Sequence, residues 1–435
     1  MSSETTDGVV ETAQVQSDEA VKTAGRGFLV ITAAKVWFLV TAAAVQLGLP
    51  IAFGSAELFG VYKIVTEAIG LLNMVVLTGT LQAVSKLVSE QPERANALVK
   101  LALKLQCFVG LPVAALYALG APQVAAAFND PALVNLLRLS SLIILFYSFY
   151  AIFIGYLNGV KEFVKQAVID MTFATMKLVG TLGLVLLGLG VVGAVAGFVT
   201  AAALVCVGAA IWTFRVMSGR AHEQATAPAP KGPLKRLAGY LVLIMLYTFA
   251  LNMLMRADLF VLKSVAGDVP ANFAGAEYVF KVMSDKFAGF YGAVLNVARI
   301  PYQGVIAVTF VIFPLISEAT FAEDHEKTAN YIRSTFRYCI LLIAGVAMLL
   351  AFNSDSLIAG LYSADYQAAS TALAVLSVSI IFFALFYVAT TMIIGSGHPV
   401  AAVAITFRNA ESDEAAQAEL ASATRTVAEA IGTKL

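Results

Sequence analysis

The feature that most constrains the fold is a series of apolar runs. A helix needs roughly 20 residues to cross a hydrocarbon core of about 30 Å, and a helix satisfies its own backbone hydrogen bonds in lipid. Ten runs of sufficient length begin near Phe28, Gly60, Leu98, Leu133, Phe163, Val191, Leu237, Phe287, Tyr331 and Ala369. The sequence therefore predicts an all-α integral membrane protein with about ten complete transmembrane helices.

The composition agrees with this class of protein. Hydrophobic residues make up 60% of the chain and charged residues 13%, against about 25% charged in a typical soluble domain. The formal net charge is zero, so the chain has no basic field that would point to nucleic acid as a partner. The lipid bilayer is the first predicted partner.

No motif in the sequence indicates an enzyme, a metal site or a cofactor. Phosphate-binding glycine loops, paired zinc histidines and nucleophile elbows are all missing from the sequence. The three cysteines lie in apolar segments without ligand spacing, which favours packed thiols. We therefore predict a protein without catalytic residues, metal or cofactor.

Two halves of the chain resemble each other. Gly60 and Tyr62 match Gly289 and Tyr291 at an offset of 229, and the pair Ser89–Glu90 matches Ser317–Glu318 at an offset of 228. Because both halves start on the same side after six crossings, they are predicted to be parallel repeats about an axis along the membrane normal.

The repeat and the composition divide the chain into five parts. A flexible cytoplasmic tail is predicted for residues 1–26, an N-terminal lobe for 27–215 with helices one to six, and a linker rich in Ala, Pro and basic residues for 216–236. A partial C-terminal lobe with helices seven to ten follows over 237–397, and 398–435 form a polar tail. Counterparts of helices five and six are missing there, so the second lobe is expected to be truncated.

The orientation follows from basic residues in the short connections. Alternate connections carry Lys and Arg, whereas those around Glu57, Asp130 and Asp355 carry none. Since basic residues are retained in the cytoplasm, the N-terminus is predicted to be cytoplasmic. The link 263–286 is an exception with three lysines beside three acids, and it is predicted to be a small external segment of balanced charge.

Candidate site residues are the charges inside the apolar runs. Each costs about 2.5–3.5 kcal/mol near the bilayer centre and should face a polar cavity or a partner. Five cations outnumber three acids, which favours an anionic substrate. The cations are Lys35, Lys63, Lys177, Arg256 and Arg299, and the acids, candidates for ion coupling or pairing, are Glu67, Asp170 and Asp258.

The sequence leaves the roles of these charges open. Lys63 and Glu67 are four residues apart on one helix face and could neutralise one another, and the long stem of Lys35 or Lys177 could reach an interface. Arg256 and Asp258 face different sides of their helix. Arg299 precedes Pro301, which is predicted to kink the helix beside the charge, and guanidinium groups suit bidentate phosphate contacts.

Several segments resemble bacterial polysaccharide flippases of the multidrug/oligosaccharidyl-lipid/polysaccharide exporter superfamily. They are FGVYKIVTEAIGLLN, TGTLQAVSKLVSE, GYLNGVKEFVKQAVID, NVARIPYQ with its FPLIS exit, and a GSG end, within residues 27–397. The resemblance implies a two-lobed transporter in the bacterial inner membrane. It would move an undecaprenyl-diphosphate-linked oligosaccharide to the periplasmic leaflet by alternating access, with polysaccharide assembly proteins as further partners.

Two alternatives remain at this point. A cation-coupled exporter of drugs or another lipid, from a sister branch, would depend on the acids rather than the cations. A non-transporting membrane scaffold would fit the truncated second lobe.

Overall fold

The computed structural model describes residues 30, 33–34, 36–220, 234–267, 277–321, 324–395, 401–402 and 404–406. This part of the chain is helical and contains no strand, which confirms the predicted all-α fold. The helices are α1 (Val36–Phe53), α2 (Ala56–Glu90), α3 (Ala95–Ala127), α4 (Leu133–Gly159), α5 (Phe163–Leu184), α6 (Gly190–Gly219), α7 (Leu234–Gly267), α8 (Glu277–Ala298), α9 (Ile300–Phe321), α10 (His325–Phe352), α11 (Ser354–Leu361) and α12 (Ser370–Gly395).

Eight stretches of the described residues are long and apolar enough to cross a membrane. One of them, Phe163–Gly219, contains both α5 and α6. Helices α8 and α9, which follow one another at Arg299, are not among the eight. The protein is thus a multi-pass membrane protein, and the count of ten crossings stays a prediction.

The helices pack into two groups. In the first, α2 and α3 lie against α4, and α6 packs on α4 and α5. In the second, α7 lies on α8, while α9, α10 and α12 pack on each other around Tyr302, Ile343 and Val388. The two groups meet where α2 lies against α7 and α8.

Glycines permit the close approach of α2 and α8. A methyl group built on Gly60 would overlap the carbonyl oxygen of Asp285, and one on Gly289 would overlap that of Ala56. Small residues at membrane helix interfaces let backbones come close. These two glycines are the pair that the repeat matches, so the interface between the lobes forms at equivalent positions of both halves.

The helix is interrupted beside Pro301, where the sequence predicts a kink. Helix α8 ends at Ala298 and α9 begins at Ile300, with Arg299 in a turn between them. Proline has no amide proton and disturbs the preceding helical turn. The break places Arg299 at a helix junction instead of inside a continuous helix.

The α5–α6 connection lies where the sequence has a glycine-rich turn. The turn spans Val185–Leu189, and Gly188 and Gly190 have φ angles of 86° and 54°. Such positive values favour glycine. The turn lets α5 and α6 pack as an antiparallel pair.

Several predicted segments fall partly outside the described residues. The tail 1–26 and Lys35 lie outside them, as do residues 221–233 of the predicted linker. Helix α6 continues to Gly219, past the start of the predicted linker at residue 216. Near its end, the side-chain amide of Asn96 donates to the backbone carbonyl of Met217 at 2.9 Å. In the predicted tail, residues 401–402 and 404–406 are helical, and the remainder lies outside.

Candidate functional site

Helix α2 carries the first half of the site. Lys63 and Glu67 are one helical turn apart, and their charged groups are 3.1 Å apart between Nζ and Oε1. Their side chains are only 2% and 10% exposed. The pairing that the sequence allowed is therefore present, but it is not the only ion pair that Glu67 makes.

Two arginines of the second lobe reach the same carboxylate. Arg256 on α7 places Nε 2.8 Å from Glu67 Oε2, and Arg299 at the α8–α9 break places Nη1 3.5 Å from Glu67 Oε1. The break at Pro301 positions Arg299 for this contact. We call Lys63, Glu67, Arg256 and Arg299 the central cluster.

Neutral acceptors also hold the three cations. Asn252 Oδ1 accepts from Arg256 Nη1 at 2.7 Å, and Asn296 Oδ1 accepts from Lys63 Nζ at 2.8 Å. The carbonyl oxygen of Met255 accepts from Arg299 Nη2. The cations are thus positioned by several fixed partners and do not depend on Glu67 alone.

The central cluster is unbalanced in charge. Three cations surround one carboxylate, so the cluster carries a net charge of +2. Arg256 and Arg299 keep 15% and 16% side-chain exposure, so solvent-sized molecules reach them. Because uncompensated charge is costly away from water, we expect this arrangement to favour an anion over a cation.

The other predicted residues have further partners, and the charge of Asp258 also acts on that of Arg299. Asp258 accepts hydrogen bonds from the Tyr291 hydroxyl at 2.8 Å and from its neighbour's amide, and so joins α7 to α8. Asp170 accepts from the Tyr150 hydroxyl inside the first lobe. Lys177 Nζ lies 4.1 Å from the ring centre of Phe198. The structure therefore brings together four of the eight predicted residues, and Lys35 lies outside the described ones.

The sequence reasoning missed a second group of charges between the lobes. Lys263 and Asp285, assigned to a balanced external segment, are completely buried and contact each other, and Lys263 also contacts Asp130 of the first lobe. Lys263 follows the apolar residues Phe260, Val261 and Leu262. Applied evenly, the criterion of a charge in an apolar run would have selected it.

Metal ligation finds no support at these sites. Within the described ranges, no group of three or more His, Cys, Asp or Glu side chains is placed to hold a metal ion.

Two lobes of long apolar helices with a cationic cluster between them define a membrane transporter of the two-lobed type. The model of the family "Polysaccharide biosynthesis protein" matches residues 29–320, and that of "Lipid II flippase MurJ" matches residues 303–415. The first match covers more than half of the chain, which therefore belongs to this polysaccharide flippase family of the multidrug/oligosaccharidyl-lipid/polysaccharide superfamily. Families of this kind are flippases and transporters and not enzymes.

Solved structures agree with the fold. An inward-facing MATE family multidrug resistance transporter of the superfamily gives a TM-score of 0.60 at 14% identity, covering 84% of this chain and 87% of its own. An outward-facing MATE family transporter gives a TM-score of 0.59 at 14% identity, and the match covers 87% of this chain and 84% of the other. A third structure is a superfamily transporter from Pyrococcus furiosus, described as having a binding pocket of reverse polarity. It gives a TM-score of 0.54 at 14% identity, and the match covers 87% of this chain and 84% of the other. No curated protein matches the chain.

Proposed function

We propose that this protein flips an undecaprenyl-diphosphate-linked oligosaccharide across the bacterial inner membrane by alternating access of its two lobes. The observation that carries the proposal is the central cluster, in which cations of both lobes converge on one carboxylate. The family supports movement of a lipid-linked substrate. The diphosphate is implied by the resemblance to the family, and the charges of the cluster fit it.

A diphosphate fits this cluster for geometric and electrostatic reasons. The two guanidinium groups offer planar forks of donors that match phosphate oxygens, and the ammonium group of Lys63 adds a compact charge. A diphosphate ester with about two negative charges would balance the net +2. It would contact both lobes at once and thereby link substrate binding to their relative position.

Substitution of the cations distinguishes this function from the two alternatives. The protein would be reconstituted in liposomes with a fluorescent polyprenyl-diphosphate oligosaccharide, and translocation would be followed by quenching from outside. We expect Arg256→Ala and Arg299→Ala each to lower the rate at least tenfold, since each removes a charge-assisted contact to phosphate, and such a contact is worth about 1.5–3 kcal/mol.

Arg138→Ala is the matched control, because Arg138 is an exposed arginine on α4 far along the chain from the cluster. It should translocate at the unaltered rate. Full activity of both cluster variants would remove the diphosphate site from the proposal. Loss of transport at Asp170 or Asp258 with indifference at the arginines would instead favour a cation-coupled exporter, and a folded protein that moves no lipid would favour a scaffold.

A further inference from the structure

A second charged cluster joins the lobes at the end of the bundle where α3 turns into α4. Asp130 of that turn lies 3.5 Å from Lys263 of α7 and 3.3 Å from Lys281 of α8, measured between carboxylate oxygens and Nζ. Asp285 of α8 pairs with Lys281 at 3.0 Å and also with Lys263. We call these four residues the Asp130 cluster.

Its charge and burial differ from those of the central cluster. The side chains of Asp130, Lys263 and Asp285 are 0% exposed, and Lys281 keeps 26%. Two acids face two lysines, so the group is neutral as a whole and offers no surplus charge to a ligand. A structural or conformational role, and not ligand binding, follows from this balance.

Only Asp130 comes from the first lobe. If the lobes separate at this end, Asp285 stays beside Lys263 and Lys281 on the second lobe, so only the two ion pairs to Asp130 break, together with the close contact of the Asp285 backbone with Gly60. The loss of attraction is offset by hydration of the released groups, because buried ion pairs gain little net free energy over hydrated ions. The ion pairs to Asp130 can therefore hold the lobes in one defined arrangement and still break at a low cost in free energy.

Other contacts at the same end would part with it. The Ser264 hydroxyl on α7 donates to the carbonyl of Ala127 at 3.1 Å, and the rings of Phe128 and Phe260 pack 5.8 Å apart. Both join the end of α3 to the end of α7. The Asp130 cluster is therefore one of several contacts that join the lobes at this end.

We propose that the Asp130 cluster is a gate that closes this end of the transporter and opens once in each cycle. The proposal rests on the proposed transport function. With the orientation predicted from the basic residues, this end faces the periplasm, so the closed gate belongs to the state that is open to the cytoplasm.

Distances between spin labels test the gate directly. In a variant without the native cysteines, one label pair at Ile51→Cys and Tyr278→Cys spans the gated end, and another at Glu93→Cys and Glu326→Cys spans the opposite end. All four positions are exposed. In lipid nanodiscs, Asp130→Asn should shift the first pair to longer distances and the second to shorter ones, because the closed state loses its inter-lobe ion pairs.

Glu162→Gln is the matched control. It removes a partly exposed carboxylate that pairs with Lys165 at 3.1 Å within the first lobe, and it should leave both distance distributions in place. Unaltered distributions in a folded Asp130→Asn variant would overturn the gate.

A reversible lock provides a second, independent test. A disulfide between Ala127→Cys and Ser264→Cys would join the end of α3 to the end of α7 and so link the two lobes at this end. Cross-linked protein in liposomes should lose translocation and regain it after reduction. Full activity of the cross-linked form would show that this end never opens. A protein that fails to move lipid even when reduced, yet shows the distance shift, would contradict the proposed function and leave the gate standing.

Discussion

Glu67 has two carboxylate oxygens and receives three cations. Oε1 faces both Lys63 and Arg299, while Oε2 faces Arg256. An anionic substrate would compete with this carboxylate for the same cations. In the proposed function, Glu67 is the counter-ion that keeps the cations of the two lobes near one another before substrate binds.

Replacement of Glu67 by Gln tests this competition. Removing one partner of a buried ion pair costs about 3–5 kcal/mol, so the thermal unfolding midpoint of E67Q should fall. Pyrophosphate, used as a probe, should raise that midpoint more in E67Q than in the wild type, because its binding no longer displaces a carboxylate. Unfolding followed by intrinsic fluorescence in detergent gives both values.

The change Glu162→Gln, at a partly exposed position, serves as the comparison for E67Q. Surface pairs contribute about 0–1 kcal/mol, so this variant should unfold close to the wild type and respond to pyrophosphate as the wild type does. An equal response in E67Q would argue against competition between Glu67 and the anion.

The sequence predicted the members of the central cluster better than their pairing. Lys63, Glu67, Arg256 and Arg299 are recognisable because charges are rare in apolar helices. Helical spacing reveals only the pair at 63 and 67. The contacts to Arg256 and Arg299 span 189 and 232 residues, so they depend on how the lobes pack.

At the scale of the elements, the contact of α2 with α8 sets how the lobes meet. Gly60 and Gly289 place the two backbones against each other without side chains between them. From this contact, Lys63 and Glu67 follow on α2, and Asn296 and Arg299 follow on α8 and its end. The glycine contact therefore fixes the register in which the central cluster assembles.

A methyl group at this contact should disturb that register. Gly60→Ala would overlap the Asp285 carbonyl, and overpacking of an interior costs about 1–3 kcal/mol. We expect a lower unfolding midpoint and a longer distance between labels at Ile51→Cys and Tyr278→Cys. An unchanged label distance together with unchanged stability would contradict the close contact.

Gly208→Ala in α6 is the comparison for the glycine prediction. A methyl group there meets no atom within 4 Å. Alanine is a better helix former than glycine by up to about 1 kcal/mol, so this variant should be at least as stable as the wild type.

The sequence predicts that the two glycine positions are equivalent in the repeat. It does not predict that they contact each other. The offset of 229 identified Gly60 and Gly289 as repeat partners. Only packing shows that the partners touch, as equivalent positions do when they lie beside a two-fold axis. The sequence could indicate the interruption beside Pro301 directly, because the constraint is local to the proline.

At the scale of the whole molecule, the orientation in the membrane is still a prediction from the connecting segments. Glu93, between α2 and α3, and Ala132, between α3 and α4, are exposed at opposite ends of the bundle. In a variant without native cysteines, Ala132→Cys should react with an impermeant maleimide on spheroplasts, because its end carries few basic residues.

Glu93→Cys should react only after permeabilisation, since it lies beside Arg94 and other basic residues. The extent of cysteine labelling is measured in both variants by the mass shift of the labelled protein on gels. The reverse pattern would invert the predicted orientation and would assign the Asp130 cluster to the cytoplasmic side.

The net charge of the central cluster has a consequence for the membrane potential. Moving one elementary charge through 100 mV changes its energy by about 2.3 kcal/mol. With a diphosphate bound, the cluster would be close to neutral and the voltage would act weakly on it. The empty cluster carries +2, so an interior-negative voltage would draw the unloaded site back toward the cytoplasm and drive the return step of the cycle.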